Sequence, residues 1–134
     1  MSSDDRGVGM IPTAAGFVVF ILFLLLAVQV LYGLYATSMV RGTLNDAASR
    51  AANGAASEGQ LRRLADDAER SLGRMGDRTT ITLRLVDDDA DGVPDVVAGS
   101  AVSDPPRFVP PPLGGVAGLD DIAVSVRIRI ERFR

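Results

Sequence analysis

The sequence predicts an α+β membrane protein: a transmembrane helix with an alanine-rich stalk, then an amphipathic helix packed on a small antiparallel sheet of about three strands. Three observations carry this. No charged residue occurs from Gly7 to Val40, whereas charge is frequent from Arg41 onward. One stretch after Ser57 repeats its apolar residues at helical spacing, and later stretches alternate apolar with polar residues as half-buried strands do. A length of 134 residues leaves room for one small domain beside the anchor. The implied organisation is a short N-terminal segment (1–13), a transmembrane helix (14–36), a stalk helix (37–56) and a small α+β domain (57–134).

The apolar block runs from Ala14 to Ala36 and is dominated by Leu, Ile, Val and Phe. About 23 residues at a rise of about 1.5 Å span about 35 Å, enough for a hydrocarbon core of about 30 Å. Its insertion is favoured by about 4 to 8 kcal/mol, which Gln29 reduces without reversing. A cleaved signal peptide has a shorter apolar region and a basic start, but here Ser2-Ser3-Asp4-Asp5-Arg6 precedes it. Gln29 lies within the block. Its amide can bond a backbone or interfacial partner of its own, or it can bridge to another membrane helix, for which Gly33 and Ala36 offer a small neighbouring face. Tyr32 and Tyr35 sit near one end, as interfacial aromatics do.

Past Val40, the residues Leu44, Ala47, Ala48, Ala51 and Ala52 form a narrow stripe of small side chains at helical spacing. Such a stripe suits either close packing with a neighbour or a simple stalk, and Asn53-Gly54 interrupts it. Ser57 and Gln60 have the spacing of a capping box. Leu61, Leu64, Ala65, Ala68, Leu72 and Met75 then mark one helical face, ended by Gly73 and Gly76. Strands are predicted at Thr79–Val86, Val93–Val102 and Ile122–Phe133, the last two separated by a proline- and glycine-rich loop.

One motif carries chemistry. Asp87-Asp88-Asp89-Ala90-Asp91-Gly92-Val93-Pro94-Asp95 follows the first nine positions of an EF-hand loop. There, side chains at one, three, five and nine and the carbonyl at seven face a hard cation, and glycine at six makes the turn. The candidate calcium ligands are Asp87, Asp89, Asp91, Val93 and Asp95. Position twelve holds Ala98 instead of the bidentate glutamate. The stretch resembles the calcium loops of thrombospondin type 3 repeats and dockerin modules, although it occurs once. The alternative is a solvated acidic hairpin tip whose mutual repulsion is compensated by other charges.

The remaining composition narrows the function classes. The net charge is −3 without a basic stripe, which argues against a nucleic-acid partner. There is no His, no Cys and no Lys, so a serine or threonine nucleophile has no obvious base and no thiolate metal site can form. No enzymatic constellation results.

Arg6-Gly7 ahead of the apolar helix, and Asn45, Ala47, Ala48, Arg50, Ala51 and Ala52 beyond it, resemble TadE-like pilin proteins of the Flp (Tad) type IV pilus system. The resemblance covers about the first third of the chain. It implies a single-pass cell-membrane protein with a cytoplasmic N-terminus, an extracytoplasmic C-terminal domain, and other pilin-like or membrane subunits as partners. A count of flanking arginines slightly favours the opposite orientation, but two or three arginines do not decide it. The family's glutamate has no counterpart: Pro12 and Thr13 stand where it would fall. In pilins that carboxylate is thought to neutralise the N-terminal amine of a neighbouring subunit after prepilin-peptidase cleavage. Two expectations result: a pilin-like or pilus-assembly structural protein, or a membrane-tethered binding module with a calcium-stabilised acidic loop.

Overall fold

A computed structural model describes residues 10–54, 57–90, 92–108 and 121–130, with side chains from Pro12 onward. Its elements are helix α1 (Met10–Asn53), helix α2 (Glu58–Ser71), a short 3-10 helix (Gly73–Arg78) and strands β1 (Thr79–Val86), β2 (Val96–Ser103) and β3 (Ile122–Arg129). The three strands form one antiparallel sheet in the order β1-β2-β3.

α1 is a single helix of 44 residues, about 66 Å long. The sequence suggested a span ending near Ala36 whose helix continues as an alanine-rich stalk. The structure runs one helix through both and gives its halves different surroundings. From Pro12 to Leu25 every side chain is exposed, Phe23 by 69%. From Ala36 onward one stripe, Val40, Leu44, Ala47, Ala48, Ala51 and Ala52, is buried in the core of the domain. The stripe is therefore a packing seam, and its partner is this chain's own sheet. The helix stops at Asn53, where Gly54 N–H still reaches the Arg50 carbonyl at 3.0 Å.

The register explains why α1 fits there. On the inner face Ile81, Ala101 and Val124 form one cross-strand row, and Leu83, Gly99 and Val126 the next. Small residues on the central strand between larger ones on its neighbours leave a trough along β2. Leu44 fills it so closely that a Cβ on Gly99 would lie 2.9 Å from its Cδ1. α2 covers β1 with Leu61, Ala65, Ala68 and Leu72, as its periodicity predicts. Its start is fixed by Ser57 N–H donating to Gln60 Oε1 at 2.8 Å, one half of the capping box. Glu69 Oε1 accepts the Ile81 N–H at 2.6 Å, which satisfies a donor that an edge strand would otherwise leave open.

The strands agree with the alternation in the sequence, with one shift. β2 begins at Val96, three residues later than expected. Pro94 has no N–H to give a ladder, and Asp95 N–H is taken by the Val86 carbonyl at 3.2 Å as the loop closes. The predicted end of the third strand, residues 131–133, lies outside the described residues.

Candidate functional site

Two places bring together residues that the sequence singled out. The first is the acidic loop between β1 and β2. Asp87 Oδ2 accepts the Gly92 N–H at 2.7 Å, and Asp95 Oδ1 accepts the Asp88 N–H at 2.9 Å. Both aspartates thus fold the loop back on itself. Gly92 has φ +82°, a left-handed conformation that suits glycine. The other carboxylate oxygens, Asp87 Oδ1 and Asp95 Oδ2, are buried without a hydrogen-bond partner. Asp91, a candidate ligand, lies outside the described residues. Among the described residues no group of three or more acidic side chains is arranged to hold a metal ion.

The compensating charge comes from β3. Arg127 approaches Asp88 at 3.8 Å, and Arg129 approaches Asp89 at 3.9 Å and Asp95 at 3.7 Å. Both guanidinium groups are largely exposed, so water screens each pair and each adds little to stability. Asp95 has its carboxyl held below the usual carboxylate range. The Asp88 N–H is the largest cause, partial burial opposes it, and Arg129 adds a smaller lowering.

The second place is the junction between the bare and buried halves of α1. Gln29 is 2% exposed, although it sits in an otherwise apolar stretch. Its Nε2 donates to the Pro106 carbonyl at 3.2 Å, and its Oε1 accepts the Phe108 N–H at 2.7 Å. The Phe108 ring packs edge-to-face on Tyr32 with centroids 5.9 Å apart. Both ends of the amide are therefore engaged within the chain. Gly33, the other expected helix-contact residue, is half-buried, and its carbonyl accepts the Thr37 hydroxyl at 2.8 Å. Beside this junction a cleft of about 410 Å³ is lined by Tyr32, Ala36, Arg74, Arg78 and Pro105, among others.

Sequence reasoning did not find Pro106 and Phe108 as partners of Gln29. They lie 77 and 79 residues away, and no local periodicity links such distances. The available signal was composition: an aromatic ring among prolines, in a loop that precedes a strand.

A long helix with one end bare and the other built into a helix-on-sheet domain defines, as a class, a protein with one helix, among the described residues, long and apolar enough to cross a membrane. No known family model matches the chain, and no curated protein or solved structure is significantly similar to it.

Proposed function

We propose that the chain is a single-pass, membrane-anchored structural subunit, similar to the TadE-like pilins that its N-terminal third resembles. Its C-terminal domain then lies outside the cytoplasm. The observation that carries this reading is the bare half of α1. A run of exposed Phe, Val, Ile and Leu without a charge is costly in water, and apolar surroundings remove that cost. Lipid supplies such surroundings, and so do the apolar helices of other subunits. The function is one of assembly rather than catalysis, in keeping with a sequence that has no His, Cys or Lys.

Mass spectrometry of the mature protein, extracted from membranes, tests the reading. A new N-terminus at Val8 or Met10 marks prepilin-type processing, and an intact N-terminus marks a plain anchor. Loss of the whole apolar block refutes both.

A second reading is favoured by the buried Asp87 Oδ1, which accepts no hydrogen bond: a tethered binding module whose acidic loop takes calcium. Extracellular modules of this kind bind at about 10⁻⁴ to 10⁻³ M. Calorimetric titration of the domain lacking residues 1–28 should then release heat at millimolar calcium and lose it in Asp87→Asn. A flat trace rejects this reading.

A further inference from the structure

Gln29 is the only polar side chain between Ala14 and Leu31, and a distant segment of backbone covers it. The two bonds satisfy the amide, the Pro106 carbonyl and the Phe108 N–H together, which is the condition for polar groups to lie at the edge of hydrocarbon. They also fix the segment at a definite height on the helix. From Pro12 to Leu25 every side chain is exposed and Gln29 is the first one buried, so the bare stretch of α1 below it, about 17 residues or about 25 Å, is of the length a hydrocarbon core of about 30 Å takes. If α1 crosses the bilayer, its exit point is where the loop is latched.

We propose that Pro105–Phe108 is a second membrane-contacting element, lying in the interfacial layer of the leaflet from which α1 emerges, with Gln29 as its latch. The inference rests on the membrane-anchor reading. Phe108 is 46% exposed although it packs on Tyr32, and Leu31 and Tyr35 of α1 are exposed at nearly the same height. An aromatic ring beside prolines, next to an exposed arginine, suits the acyl–headgroup boundary. Arg107 is already near Asp104 and Asp121, at 4.0 and 3.8 Å. The contact is thus apolar rather than electrostatic, and zwitterionic lipid is sufficient for it.

The chain has no tryptophan, so single Trp substitutions report depth directly. The full-length protein would be reconstituted in phosphatidylcholine vesicles brominated at shallow or deep acyl positions. Phe108→Trp should show blue-shifted emission, strongest quenching by the shallow bromines and little quenching by aqueous iodide. Val18→Trp should be quenched best by the deep bromines, and Ser100→Trp, on the outer face of the sheet, only by iodide. Adding Gln29→Leu to Phe108→Trp should shift its emission to the red and restore iodide quenching. If the Phe108→Trp probe behaves like the Ser100→Trp probe while the Val18→Trp probe remains deep, the loop is not immersed and the anchor reading stands without it. If the Phe108→Trp probe is shielded from both iodide and bromine, protein rather than lipid covers it, and the proposal fails. Iodide access to the Val18→Trp probe overturns the anchor reading and this proposal with it.

Discussion

Asp95 shows how a single side chain serves the acidic loop. Its carboxylate accepts the Asp88 N–H and lies near Arg129, and both interactions favour the charged form. A folded-state pKa below the ordinary value of 3.8 means that the native protein releases this proton more readily than the unfolded chain. The resulting stabilisation is fully present above that ordinary value and is lost as the pH falls through it toward the lower folded-state value. Denaturant titrations of the domain lacking residues 1–28 should therefore show a smaller gap between wild type and Asp95→Asn at pH 3 than at pH 7. An equal gap at both would remove Asp95 from the acid response. The motif itself was legible in the sequence, because glycine at six and the alternate aspartates are local features. That arginines of β3 stand over it was not, since only sheet register brings Arg127 and Arg129 there.

At the scale of elements, α1 changes surroundings without changing conformation. Its alanine stripe reads identically whether it faces solvent as a stalk, another subunit, or a sheet, and the trough above Gly99 and Ala101 decides for the sheet. The buried core thus draws on α1 as well as on the residues from 57 onward. Deleting residues 1–28 should leave a soluble domain that unfolds cooperatively. Deleting residues 1–56 removes Leu44 and the other buried residues of α1. One such buried leucine contributes about 2–5 kcal/mol, and a domain's whole stability is about 5–15 kcal/mol, so this fragment should be unfolded or aggregated. Circular dichroism and gel filtration would check both. A folded, monomeric 57–134 fragment would mean that α1 is dispensable to the core. β1 was fully legible because it alternates without a turn residue. The start of β2 was less so, because Val93-Pro94 is apolar enough to look like strand but cannot supply the ladder.

For the whole molecule, the sequence by itself determined the kinds of parts: an uncharged helix long enough for a bilayer, an amphipathic helix and alternating strands. These follow from composition and period, which act over a few neighbouring residues. The tertiary structure decided which surfaces those parts present to each other. It committed the second half of the long helix to the sheet and gave Gln29 partners 77 and 79 residues away. Such choices depend on cross-strand register and on chain segments brought together by folding. A local pattern can state that a face is apolar, but only packing selects what that face meets.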